Sequence, residues 1–268
     1  MENKMIGFIG LGNMASAIIG GMLQKKIVES ANIIGSDKMP EAREKAQNKF
    51  GITTVEGNAE VAKKADILFL AVKPIYLTAA IDEMKESFKP ETVIVSIVAG
   101  KDMEFIQNAV GRKDCKIVRC MPNTPALVME GCTGACPNAN VSKAEMEEVL
   151  TLLRSFGTAS VVPEHLMDAV VGVSGSSPAY VFMFIEAMAD AAVAAGMPRK
   201  QAYEFAAQAV LGSAKMVLET GMHPGELKDM VCSPGGTTID AVKVLEEKGM
   251  RAAVMAAMEV CIEKSKKL

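Results

Sequence analysis

Residues Met5–Ala15 read Met-Ile-Gly-Phe-Ile-Gly-Leu-Gly-Asn-Met-Ala. The apolar half suits a buried strand, and Gly10-Leu11-Gly12-Asn13-Met14-Ala15 has the G-x-G-x-x-A spacing that turns a strand tightly into a helix. Gly10 allows the sharp turn, Gly12 leaves the backbone bare, and Ala15 lets the helix lie close to the sheet. A helix that starts this way aims N–H groups at an anion, so the turn from Ile9 to Met14 is a seat for a dinucleotide diphosphate. The same spacing also occurs in βα turns without a ligand, so its meaning depends on what comes next. Next is a helix over Asn13–Lys25, with Met14, Ile18, Gly21 and Met22 on one face, and then a strand over Ala31–Ser36, completing a βαβ unit. Asp37 follows the turn by about twenty residues, where an acidic side chain accepts from ribose hydroxyls.

The first half of the chain continues in this alternation. A helix over Glu41–Phe50 is stopped by Gly51, and a short strand over Ile52–Val55 follows. Ile67–Val72 and Thr92–Ala99 are unbroken apolar runs, as central parallel strands are. Ligands of open α/β sheets collect at the carboxyl ends of strands, so Ala71, Val72, Lys73, Pro74, Ala99 and Gly100 are expected along the nicotinamide end of a crevice. The adenosine end gives two opposed signals. Asp37 suits the ribose diol of NAD, whereas Ser36, Lys38 and Arg43 suit the 2′-phosphate of NADP; the reading leans to NADP(H), with NAD(H) as the alternative. Lys116–Met121 is the next strand and enters Pro122-Asn123-Thr124-Pro125, a stiff loop whose Asn123 and Thr124 have no helix to cap. Ser142-Lys143-Ala144-Glu145 is a capping box that opens a helix to about Ser155. Gly157 ends that helix, Ala159–Val162 is a last strand, and residues 1–162 make one domain.

Strand signals stop at Glu164, and residues 163–268 read as an all-helical domain. The Gly- and Ser-rich stretch Gly172–Pro178 is expected to be a break before a helix over Ala179–Ala195 that is apolar almost all round. Glu186 and Asp190 argue against a membrane span, since each is costly at the bilayer centre. So small a domain cannot bury such a helix by itself, so it is expected to pack on a second copy of the chain. A helix from Pro198 to about Thr220 and a short one over Pro224–Val231 follow. Then comes Cys232-Ser233-Pro234-Gly235-Gly236-Thr237-Thr238, leading into a helix to about Lys248. Gly235 and Gly236 let backbone N–H groups converge at a helix start, a site for a small carboxylate; an ordinary Ser or Thr N-cap explains the same residues equally well.

The net charge of −3 gives no general attraction to nucleic acid or anionic membrane. Six cysteines and no apparent secretory leader fit a reducing compartment, so the expected location is the cytoplasm. The cysteines lack histidine partners at zinc-site spacing, so all six are read as small buried hydrophobes and no metal is expected. Two histidines, His165 and His223, leave little scope for a His-based triad and read as helix-end or surface residues.

Four stretches together resemble the pyrroline-5-carboxylate reductase family: Gly7–Ala15, Leu68–Pro74 (Leu-Phe-Leu-Ala-Val-Lys-Pro), Arg119–Pro125 (Arg-Cys-Met-Pro-Asn-Thr-Pro) and Ser233–Thr238 (Ser-Pro-Gly-Gly-Thr-Thr). The last is close to a family signature. The resemblance implies a Rossmann-type doubly wound sheet followed by an all-helical dimerisation domain, a homodimer that can extend to a decamer, and a usual preference for NADPH. It implies that the backbone of Ser233, Gly235, Gly236 and Thr237 holds the substrate carboxylate, and that the Thr238 hydroxyl bonds the ring nitrogen. It also implies that Asn58 touches the adenosine phosphate or ribose; Asn123, on the stiff loop at the active edge, is read as a further cofactor contact. A cyclic imine can be protonated before hydride arrives and so needs no positioned acid, unlike a keto substrate. The β-hydroxyacid dehydrogenases, an alternative of similar plan, carry a catalytic lysine early in their helical domain. Here no lysine occurs between Lys143 and Lys200. A nucleotide-sensing protein without turnover is the other alternative.

Overall fold

The computed structural model describes residues 4–267. Ile6–Ile9 (β1), Ile33–Ser36 (β2), Thr53–Val55 (β3), Ile67–Leu70 (β4), Val93–Ser96 (β5) and Lys116–Met121 (β6) form a parallel array. Every residue of β1, β2, β4 and β5 is buried, as strands covered on both faces require. Gly131–Pro137 (β7) runs antiparallel to β6, and Gly157–Val161 (β8) pairs parallel with β7. The spatial order is β3-β2-β1-β4-β5-β6-β7-β8. Chain direction across the sheet therefore reverses between β1 and β4, which opens a crevice at their carboxyl ends.

Helices cover both faces. Asn13–Gln24 (α1) and Pro40–Phe50 (α2) are followed by Asn58–Lys64 (α3), Leu77–Met84 (α4), Met103–Val110 (α5) and Lys143–Leu153 (α6). Ile18, Ile19 and Met22 of α1 and Val149, Leu152 and Leu153 of α6 share one core with Phe8 and Phe69, whose rings stack at 4.9 Å. Val61, Leu77, Ile81, Met84 and Ile106 of α3 to α5 make the other core with Ile9 and Leu68. The capping box opens α6: the Ser142 hydroxyl accepts from the Glu145 amide, and the Glu145 carboxylate accepts from the Ser142 amide.

Several expectations are corrected. β4 and β5 stop at Leu70 and Ser96 rather than Val72 and Ala99; beyond them, among the described residues, only the Ala71 and Ile97 amides still reach a neighbouring strand, donating to the Ile9 and Leu70 carbonyls at 2.8 and 3.1 Å. β7 has no apolar run to announce it, being rich in Gly, Cys and Ala. Gly157 does more than end α6. It begins β8 at φ +150, where a Cβ would lie 2.0 Å from the Gly131 carbonyl oxygen. Asn123 does precede a helix, the 3-10 turns of Thr124–Val128. Cys115, Cys120 and Cys136 are buried, but Cys132 is exposed and Cys232 and Cys261 are partly so.

The stretch Gly172–Pro178 is no break. Met167–Val170 (α7) passes through a π-helical segment, Val171–Gly175, into Ser177–Ala194 (α8). The Ser176 amide reaches back to the Val171 carbonyl at 2.8 Å, and the Ser174 hydroxyl to that of Val170 at 3.0 Å. By packing, one compact unit comprises Met1–Ser176 with the returning end Cys261–Leu268, and the other comprises Ser177–Val260. The packing boundary falls after the 162/163 boundary read from the sequence because the linking segment is fastened to the sheet. Glu164 pairs with Arg119 at 3.2 Å, and Val170 and Gly175 lie against Gly134 and Met121. Asp168 also accepts from Ser265 at 2.7 Å.

In the second unit, α8 packs on Arg199–Thr220 (α9), which Gly221 ends in the left-handed conformation. Pro224–Val231 (α10) is capped by His223, whose Nδ1 accepts from the Gly225 amide at 3.0 Å. Thr237–Glu247 (α11) and Met250–Ser265 (α12) complete the chain.

Candidate active site

The first unit holds an anion cradle between β1 and α1. Gly10 has φ +93, and a Cβ there would stand 2.6 Å from the Ala71 carbonyl oxygen, so only glycine lets β1 turn this close to the residue after β4. The turn is pinned on both sides: the Gly10 amide donates to the Ser36 carbonyl at 2.8 Å and the Ala71 amide to the Ile9 carbonyl at 2.8 Å. Gly12 is the N-cap of α1. It supplies no side-chain cap, and a Cβ built on it would meet nothing within 4 Å. The first-turn amides of α1 at Asn13, Met14 and Ala15 have no intrahelical acceptor, so these donors and the positive end of the helix dipole are available to an anion. Ala15 is 1% exposed and sits against the sheet, as its small side chain predicts.

At the end of β2 the polar side chains bond to one another and to nearby backbone. Ser36 is fully buried, and its hydroxyl donates to Asn58 Oδ1 at 2.7 Å. Asn58 is itself buried, and its amide and side-chain nitrogens donate to the Glu83 carboxylate at 3.1 and 2.9 Å. These two residues therefore support the β2 end from within, through a Glu83 contact that no local motif announces. Asp37 turns its carboxylate toward the cradle, accepting from the Leu11 amide and the Met39 amide, each at 2.9 Å. Arg43 Nη1 donates to the Asp37 and Lys38 carbonyls at 2.5 and 3.4 Å, and Lys38 is exposed.

At the other side of the crevice Ala71 and Val72 are half-buried, while Lys73 and Pro74 are exposed at the start of a 3-10 turn. Ala99 is exposed, and Gly100 has φ +70. Asn123 is buried and acts as a clasp: Oδ1 accepts from the Cys132 amide at 2.8 Å and Nδ2 donates to the Ser174 carbonyl at 3.0 Å. It ties the Pro122–Pro125 loop to β7 and to the π-helical segment.

The second unit holds another main-chain cradle, between α10 and α11. Gly235 has φ +68, and the Gly236 amide donates to the Ser233 carbonyl at 3.1 Å. Gly236 is the N-cap of α11 and no side chain caps that helix, so the ordinary Ser or Thr cap is not what these residues build. A Cβ at Gly236 would fall 2.4 Å from Ser233 Oγ and 3.2 Å from the Ser233 carbonyl oxygen, so a side chain there requires the Ser233 hydroxyl to turn aside. Thr237 is exposed and Thr238 half-buried in the first turn of α11. The α11 start thus presents its amides as the α1 start does, with a hydroxyl beside them.

Residues 164–268 match the family model for pyrroline-5-carboxylate reductase dimerisation, and residues 5–100 match that of NADP oxidoreductase, coenzyme F420-dependent. The pyrroline-5-carboxylate reductase of Escherichia coli (strain K12) is 56% identical over 268 residues, spanning 100% of this chain and 99% of its own. The chain belongs to the pyrroline-5-carboxylate reductase family. A solved pyrroline-5-carboxylate reductase from Coxiella burnetii superimposes with a TM-score of 0.92 at 33% identity, covering 99% of this chain and 98% of that one. A Plasmodium falciparum pyrroline carboxylate reductase, solved with NADP bound, does so at 0.89 and 33% identity, covering 100% and 98%. Membership of the pyrroline-5-carboxylate reductase family makes this chain an NAD(P)H-dependent oxidoreductase with a Rossmann-type sheet and a helical dimerisation region.

That region carries large apolar side chains at its surface. Phe182, Met183 and Leu218 are 61%, 69% and 82% exposed in the single chain. Glu164–Ala194 is long and apolar enough to cross a membrane by length and composition. It also carries Glu164, Asp168, Glu186 and Asp190, and it lies within the dimerisation match.

Proposed function

We propose that this chain reduces 1-pyrroline-5-carboxylate to L-proline, the last step of proline biosynthesis, with one main-chain cradle for the dinucleotide and another for the substrate carboxylate. The observation that carries the reading is that Ser233–Thr238 builds a glycine-closed helix start with no side-chain cap, in a chain related over its whole length to pyrroline-5-carboxylate reductases. Gly10, Leu11, Gly12, Asn13 and Met14 fit the dinucleotide, since Gly12 keeps open the space a side chain would fill. Ala71, Val72, Lys73, Pro74, Ala99 and Gly100 line its nicotinamide side, and Asn123 holds that edge in register. When bound, NAD(P)H supplies the hydride, delivered to C5 of the ring.

The rest falls to this chain's residues. Backbone amides from Gly235 to Thr238 hold the substrate carboxylate by charge-assisted hydrogen bonds that fix the ring in one orientation. The Thr238 hydroxyl accepts from the protonated ring nitrogen and presents the C=N carbon for attack. The imine enters already protonated, so the nitrogen keeps its proton as the amine forms and no side chain needs to act as acid. This is why no lysine is required where the hydroxyacid dehydrogenases keep theirs. The chain works in the cytoplasm as a homodimer through its C-terminal helices, with a higher homo-oligomer such as a decamer as its larger form; sedimentation of the purified protein reads that state. The direct test is loss of 340 nm absorbance when 1-pyrroline-5-carboxylate is added with NADH or NADPH. Turnover of a 3-hydroxy or keto acid instead would favour the hydroxyacid-dehydrogenase alternative, and cofactor binding without any absorbance loss would favour the sensing protein.

A further inference from the structure

The two nicotinamide cofactors differ by one phosphate on the adenosine 2′ oxygen, so whatever stands at the end of β2 chooses between them. Of the four residues there that bear on the choice, two are occupied. Ser36 is fully buried and bonded to Asn58, so its hydroxyl has no path to a ligand. Arg43 is drawn onto the carbonyls of Asp37 and Lys38. Lys38 is exposed on a flexible stem. Asp37 is different. Its two oxygens are each held by a backbone amide at 2.9 Å, one of them from Leu11 in the cradle itself. A carboxylate has about four acceptor positions, so two remain for a diol. The same two amide bonds prevent it from swinging away from a second anion.

We infer that Asp37 makes NADH the favoured cofactor of this chain, by accepting from the ribose diol and by setting a fixed negative charge against a 2′-phosphate. The inference rests on the proposed function for the presence of a nicotinamide dinucleotide in the cradle. Calorimetric titration of the full-length protein with NAD+ and NADP+ tests it without requiring turnover. NAD+ is expected to bind at least about ten-fold more tightly. Asp37→Ser should reverse the order. Asp37→Asn, which keeps the shape and an acceptor for Leu11 while removing the charge, should at least erase the difference. Arg43→Ala should leave the wild-type ratio within about two-fold, since its guanidinium is engaged with backbone carbonyls. Wild-type protein that binds NADP+ as tightly as NAD+, or Asp37 variants that leave the ratio unmoved, would overturn the inference. Arg43→Ala weakening NADP+ alone would do the same, by exposing a phosphate site at the guanidinium. The preference seen without reduction of 1-pyrroline-5-carboxylate would instead remove the proposed reaction and leave Asp37's role standing.

Discussion

The two cradles use one device, a glycine N-cap with no side chain at the start of a helix, in opposite surroundings. The β1–α1 turn is bolted into a sheet: bonds from Gly10, Leu11 and Ala71 hold it to β1 and the β2 end, and Ala15 seats the helix on a buried core. The α10–α11 turn has the single closure from Gly236 to Ser233 and mostly exposed residues around it. The β1–α1 turn is held within one unit because its strands and helices bury each other. The α10–α11 turn lies instead among helices whose apolar side chains are exposed in the single chain, within the dimerisation match.

Substitutions that act on one cradle and spare the other test this contrast. Gly12→Val should have the largest effect, lowering dinucleotide affinity by about 100-fold or more while the protein stays folded, because the added atoms enter empty space rather than the core; calorimetry and circular dichroism read the two halves of that statement. Gly236→Ala puts a methyl group against Ser233 Oγ and the Ser233 carbonyl at the start of α11, so kcat/KM for 1-pyrroline-5-carboxylate should fall about 10-fold with dinucleotide affinity unchanged. A matching loss of dinucleotide affinity in that variant would merge the two cradles into one and break the comparison. Thr238→Ala removes a single hydrogen bond and should lower kcat about ten-fold. An unchanged kcat would take Thr238 out of the chemistry.

The smallest effect concerns the stability of the sheet unit. Burial pushes the Glu145 carboxyl up, but hydrogen bonds from Lys116 and Ser142 outweigh it and hold the group down to about 2. Its folded value lies below the ordinary 4.5, so the carboxylate's contribution is complete above about 4.5 and is lost as pH falls toward 2. Thermal melts of Glu145→Gln should show a smaller drop across that window than the wild type, and equal drops would remove the capping box from the acid response of this unit.

The chain announced the first cradle more fully than the second. Gly10 and Gly12 carry their meaning in their spacing, and the runs Ile6–Ile9, Ile67–Leu70 and Val93–Ser96 announce a sheet buried on both faces. α3, α4 and α5 were silent because short helices packed on a parallel sheet need only a few apolar positions, and β7 because small residues pack there in place of large ones. The π-helical segment read as a break because Gly and Ser mark turns in isolation, whereas here sheet packing and the Asn123 clasp hold them helical. Cys132 departs from the buried reading because it sits on a stretch of β7 whose side chain points outward.

Local chemistry belongs to the chain itself: which residues permit a turn, which helix begins with bare amides, which segments must be buried. These follow from the presence or absence of a Cβ and from apolar periodicity, and they need no partner to be read. The fold alone decided how polar groups are shared. Ser36 turned inward to Asn58, Asn58 to Glu83, and Asp37 to the Leu11 amide, because a buried hydrogen-bonding group takes whichever partner the packing brings within reach, however far away it is in sequence.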